Sequence, residues 1–260
     1  MSDFETITYA IEKGVATIAL NRPKAMNAIS QKMRQELKAV IASAEEDTSV
    51  RVVVIRAEGK GFSSGTDLSE GLAGFDDIDQ QIQAEYKPVL MAIAESGKPY
   101  IASIHGACAG IGSALAMSCD LAIMADDSFI YLAFAGLSLV PDGGMSHHIV
   151  NAMGYRKAYQ AYIEAARIPA QDCLQYGLAN KVVPAQELAS ATTAWAETLA
   201  QGAPIAQQLG KQIMRQVHTS SLDETIDLES RLQVKASTSQ DAANAIMAFF
   251  KKKKPVFAGV

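Results

Sequence analysis

The chain has 260 residues, 49% of them hydrophobic and 20% charged, a composition of one folded globular protein large enough to bury a substantial core. Its net charge of −5 excludes a nucleic-acid footprint, because no broad basic excess is available to neutralise a phosphate backbone. Three cysteines at irregular spacing exclude a disulfide framework or a zinc site. The start, MSDFETITYA, lacks the basic and apolar regions of a secretory signal, and no apolar run is long enough to span a bilayer, so a cytoplasmic location is expected.

Residues 4–20 alternate apolar and polar around Lys13-Gly14, which predicts a hairpin. Ser30 is the expected N-cap of a helix with Met33, Leu37, Val40, Ile41 and Ala44 on one face. Val50 to Ile55 then reads as a buried strand. The run from Gly59 to Leu68, rich in glycine and serine, reads as a functional loop at a strand's C-terminal end. An acidic loop at 69–79 and a helix from about Ile78 to Ala94 follow.

Pro99 to Ile104 is the next strand, and it leads into the densest glycine turn of the chain, Ala109-Gly110-Ile111-Gly112-Ser113. A helix opening there leaves unpaired N–H groups at its positive end, a place suited to an oxyanion or a phosphate. Leu121 to Ala125 and Phe129 to Leu132 are two further strands, and Asp142 stands alone in Pro141-Asp142-Gly143-Gly144. The pattern predicts an α/β fold of short stacked strands rather than one wide doubly wound sheet. Beyond Gly154 helical patterns take over, with Lys181 to Val183 the one clear strand signal. The expected division is an α/β core over 1–190 and a helical region over 191–260.

Asn21-Arg22-Pro23 with Asn27-Ala28, Phe62 to Leu68, His105 to Gly112, Pro141 to Gly144, and Ile168 to Asp172 with Gly177 to Val183 together resemble the crotonase, or enoyl-CoA hydratase/isomerase, superfamily. The resemblance implies a spiral of ββα units, a C-terminal helical part that forms a homotrimer or a dimer of trimers, and an acyl-CoA thioester substrate. It implies an oxyanion hole made by the main-chain N–H groups of Thr66 and Ile111, with Ser64, Gly65 and Gly110 in the substrate-binding turns. Phe249 and Lys252 match tail residues that reach the CoA of a neighbouring subunit. Coenzyme A is part of the substrate, and no cofactor or metal is implied.

Hydratases of this family use two glutamates, and the matching positions here are Ala114 and Phe134, neither of which ionises. Asp142 is the remaining acid–base candidate, and the run Leu139 to Gly144 looks like the ring-epoxide isomerase branch of phenylacetate degradation. One base suffices for isomerisation, and apolar surroundings raise its pKa. Read locally, Pro-Asp-Gly makes Asp142 a cap of the helix starting near Gly143. An acyl-CoA isomerase is therefore the leading expectation. A hydratase aided by Asp142, Asp76 or Asp77, a dehalogenase- or hydrolase-like enzyme, and a non-catalytic CoA-binding subunit stay open beside it. Asp67 is expected to fix its loop, His105, His147 and His148 to be structural, and the Lys251–Lys254 run to complement a helix end.

Overall fold

The computed structural model describes residues 4–260. Strands β1 (Ile7–Glu12) and β2 (Val15–Leu20) form the expected hairpin, with Lys13 and Gly14 both at positive φ in its two-residue turn. The helix α1 (Gln31–Glu46) starts at Ser30, whose hydroxyl accepts from the Met33 N–H, and it buries the five apolar residues the pattern put on one face.

The larger sheet has six strands in the order β1-β2-β3-β4-β6-β9, where β3 is Val52–Ala57, β4 Tyr100–Ile104, β6 Leu121–Ala125 and β9 Lys181–Val183. Only the β1–β2 pair is antiparallel; the later pairs in the sheet are parallel. The run Val52-Val53-Val54-Ile55 is apolar throughout because the sheet is covered on both faces. Val53 and Ile55 join the main core with α1, whereas Val52 and Val54 join Ile101, Ile123, Leu188 and Ala196 on the other side.

A second sheet, β5-β7-β8, is built from the three-residue strands Ala107–Ala109, Phe129–Tyr131 and Arg167–Pro169. Two sheets are thus present, as the short-strand pattern predicts, although the larger is wider than that pattern suggests. β5 and β8 escaped the sequence reading, since three residues are too few to show alternation and their pairing partners lie far along the chain.

Between β3 and β4 the chain forms α2 (Ile78–Gln81), a π-helical turn (Ile82–Tyr86) and α3 (Lys87–Glu95). The π turn lies within the single helix expected from about 78 to 94 and inserts one residue into its winding. After β5 come α4 (Ile111–Ser118), α5 (Met145–Met153), α6 (Tyr155–Ile163) and α7 (Ala170–Tyr176). α8 (Leu188–Ala200) closes the second face of the six-stranded sheet, so the boundary expected at residue 190 falls inside a helix packed on the core.

α9 (Pro204–Gln216), α10 (Leu222–Ser237) and α11 (Gln240–Phe250) stand outside that sheet. α9 is tied to the core by Lys211, which donates to the Ile93 and Lys98 carbonyls and pairs with Asp120 at 2.9 Å. The C-terminal tail returns to the body, where the buried Asp241 carboxylate accepts from the Ala258 and Gly259 N–H groups, each at 2.7 Å.

Candidate active site

Two glycine turns are stacked by a short parallel bridge between Ser63 and Cys108. Ser63 N–H donates to the Ala107 carbonyl at 3.1 Å, and Ala109 N–H donates to the Ser63 carbonyl at 2.9 Å. This brings Gly65 (φ +99°) against Gly110 (φ +52°). A Cβ on Gly65 would lie 3.2 Å from the Ala109 carbonyl oxygen, so glycine is required both for the backbone conformation and for the close approach.

The next residue in each turn carries an unpaired donor. Ile29 N–H takes the Gly65 carbonyl at 2.8 Å, and the Ile29 carbonyl takes Asp67 N–H at 3.3 Å, so the Thr66 N–H between them faces the opposite side. Ile111 is the first residue of α4, capped by Gly110 without any side-chain bond, and its N–H has no carbonyl a turn earlier to bond. Among the described residues neither N–H has a hydrogen-bond partner. Ser113, one turn into α4, is spent on the Cys108 carbonyl at 2.6 Å.

The third part is Asp142. The glycine after it, Gly143 (φ +59°), sits so close to α4 that a Cβ there would meet Ile111 Cδ1 at 2.4 Å and Ala114 Cβ at 2.8 Å. One Asp142 carboxylate oxygen is fully buried with no hydrogen-bond partner. Burial pushes its pKa up to about 6, opposed only by the bond from its own N–H. The capping alternative does not hold: α5 is capped at Gly144, and no side chain bonds its first N–H groups.

Thr66, Ile111 and Asp142 are thus gathered at one locus by the contacts of Gly65, Gly110 and Gly143. The arrangement brings two unpaired main-chain N–H groups and a desolvated carboxylate into one region, a combination chemically able to stabilise negative charge and to move a proton. Ala114 and Phe134 are both buried, and Ala114 lies so close to Gly143 that a Cβ on that glycine would meet it at 2.8 Å.

Other candidates are engaged elsewhere. Asp67 is held low in pKa by Ser69 and by Arg22, its partner at 2.8 Å, and so fixes the loop. Asp77 caps α2 through the Gln80 N–H, and Asp76 is exposed beside it. His105 bonds the Gly59 carbonyl, and His147 bonds Asn151. Burial pushes His148 down to about 4, with His147 and Arg215 adding to the shift. Cys108 and Cys173 are buried thiols pushed up to about 12, which makes them inert core residues. Ser64 is exposed at the first turn, its N–H donating to the Met26 carbonyl.

Phe249 and Lys252 stand exposed at the end of α11, and no hydrogen bond among the described residues joins them to either glycine turn. A cavity of about 420 Å³ beside Arg51, Gln208 and Val260 shares none of the site's residues. Neither Arg34 nor Tyr86 stands out in the sequence as a site residue. Both line a small cavity with Ile111, and the Tyr86 hydroxyl lies 3.3 Å from Thr66 Oγ1. Their only sequence signal is an arginine on the otherwise apolar face of α1, which is 2% exposed in the fold.

Residues 10–260 match the sequence model of a family described as Enoyl-CoA hydratase/isomerase. A Rhodobacter capsulatus protein named probable enoyl-CoA hydratase is 32% identical over 98% of this chain and 99% of its own length. The Escherichia coli 1,2-epoxyphenylacetyl-CoA isomerase is 29% identical, again over 98% and 99%. The crystal structure of an enoyl-CoA hydratase from Bacillus anthracis superposes with a TM-score of 0.93 at 26% identity, covering 98% of this chain and all of that one.

Proposed function

The chain belongs to the enoyl-CoA hydratase/isomerase family, and from that premise we propose that it isomerises an acyl-CoA thioester by shuttling one proton through Asp142. Asp142 removes a proton from a carbon of the acyl chain, and the electron pair of that C–H bond passes to the thioester oxygen. The Thr66 and Ile111 N–H groups hold the resulting enolate oxygen. The protonated carboxyl then returns its proton to a different carbon, restoring the thioester and leaving the double bond moved. A strained epoxide begins the same way, but the enolate then breaks the ring C–O bond and the protonated Asp142 carboxyl gives its proton to the expelled oxygen instead of to a carbon. No metal or cofactor takes part, and coenzyme A belongs to the substrate.

The observation that carries this reading is the buried, unpartnered Asp142 oxygen beside two unpaired main-chain donors. Isomerisation is favoured over hydration because Ala114 and Phe134 occupy the positions where the family's hydratases hold glutamates, so the second acid–base group of a hydration is missing. The relatives' names divide between the two reactions and do not choose between them.

The test is a panel of 2-enoyl-, 3-enoyl- and aryl-epoxide-CoA thioesters in deuterated water, read by mass spectrometry. Deuterium uptake with a rearranged product supports the isomerase; gain of one water favours the hydratase; binding without exchange favours a non-catalytic subunit. The exposed Met214, Ile226, Val234 and Met247 on α9–α11 support a homotrimer or a dimer of trimers, which sedimentation checks. Among the described residues no helix is long and apolar enough to cross a membrane, which fits action on a water-soluble thioester.

A further inference from the structure

A buried chain of donors runs from the core to the first glycine turn. Arg34 on α1, only 2% exposed, places Nη1 2.8 Å from the Tyr86 hydroxyl and 3.1 Å from the Ile29 carbonyl, and its Nε 2.7 Å from a Glu85 oxygen. A guanidinium has donors only, so the Tyr86 oxygen accepts from it and the single Tyr86 proton remains for another partner. That partner is Thr66 Oγ1, at 3.3 Å. Among the described residues the Thr66 hydroxyl proton has none.

The helix carrying Tyr86 touches every part of the site. The π turn ends at Tyr86, which lines a small cavity with Ile111, and Leu90 one turn later packs on Gly143 beside Asp142. Burial raises the Tyr86 pKa and the Asp142 charge adds to the rise, so the hydroxyl keeps its proton and stays a donor.

The peptide between Gly65 and Thr66 is held at its carbonyl by Ile29 N–H at 2.8 Å, and because the peptide is planar this bond also sets the side to which the Thr66 N–H points. The Tyr86 hydroxyl, donating to Thr66 Oγ1 at 3.3 Å, is a second hold at the side-chain end, where it resists a tilt of the whole peptide about the Ile29 bond.

Resting on the assignment of Thr66 as an oxyanion donor, we propose that Tyr86, oriented by Arg34, is a positioning residue that fixes the Thr66 side chain and thereby aims its N–H at the thioester oxygen. Loss of an oxyanion donor costs roughly 10²–10³ in rate, and a donor left in place but misdirected loses part of that. Tyr86→Phe is expected to lower kcat by roughly 10- to 100-fold with KM changed less than about 3-fold. Infrared spectroscopy of bound hexanoyl-CoA labelled at the thioester carbonyl gives an independent readout. The carbonyl stretch is expected to shift to lower frequency on binding to the wild type and to return toward its value in water in Tyr86→Phe.

Thr66→Val, which removes the contact from the other side, should behave the same way, and Thr66→Ser, which keeps the hydroxyl, should regain part of the carbonyl shift that Thr66→Val loses. The double variant Tyr86→Phe, Thr66→Val should lose little more than either single one. A normal carbonyl shift and wild-type kcat in both Tyr86→Phe and Thr66→Val overturn the role of Tyr86 while leaving the oxyanion assignment intact. No shift in the wild type overturns that assignment, and the proposal with it.

Discussion

Gly65 and Gly110 face each other across the two turns of the site: a Cβ built on either would lie 3.7 Å from the Cα of the other. That approach brings together the turns whose next residues are Thr66 and Ile111, and the Ser63–Cys108 bridge just upstream sets it. Gly65→Ala is expected to destabilise the fold by about 1–3 kcal/mol, through its positive φ and the tight Ala109 carbonyl, and to lower kcat more than it raises KM. Urea unfolding and steady-state kinetics on the same preparation check both parts. An alanine variant with full turnover would separate the turn from the reaction.

Gly143→Ala tests the joint between Asp142 and α4. The added methyl would lie 2.4 Å from Ile111 Cδ1, so either Ile111 or the Asp142 loop must move. The expected result is a loss of about 1–3 kcal/mol with reduced turnover, measured by thermal unfolding and by deuterium exchange of substrate.

Much of this site was legible in the sequence, and the division has a physical cause. The glycine turns, the Ser30 cap and the continuous apolar run of β3 are local signals, written in adjacent residues. The partners of Arg34 are not: Glu85 and Tyr86 lie 51 and 52 residues away, and only folding brings them together. The π turn that carries Tyr86 looks in sequence like ordinary helix, because one inserted residue barely changes the period. Asp142 is an intermediate case. Its motif reads equally as a turn or a cap, and only its burial without a partner separates it from those.

The raised Asp142 pKa makes two pH predictions with opposite signs. As a base it must be ionised, so kcat/KM should rise with pH along a limb that is half-complete near pH 6. Stability runs the other way. Between the ordinary carboxylate value and about 6 the folded protein keeps a proton that the unfolded chain releases, so stability falls as pH rises through that window. Asp142→Asn removes this effect, and its stability relative to wild type should improve by about 1–2 kcal/mol from pH 4 to pH 8, a figure reduced for the group's partial exposure. Chemical denaturation at the two pH values reads the difference.

Ala114→Glu asks whether a hydratase glutamate can be restored. Ala114 is fully buried in the main core, so a glutamate there adds volume to a filled site and buries a charge. The variant should lose more than about 3 kcal/mol and gain no hydration activity. Denaturant unfolding and a water-addition assay check the two halves.

The most direct measurement follows deuterium from solvent into an accepted acyl-CoA thioester with wild type and with Asp142→Asn, each shown to be folded and to bind the thioester. Wild type should exchange and rearrange the substrate without adding water, and Asp142→Asn should lose roughly 10²–10⁴ of that rate while still binding. Exchange at the wild-type rate in Asp142→Asn would contradict Asp142 as the base.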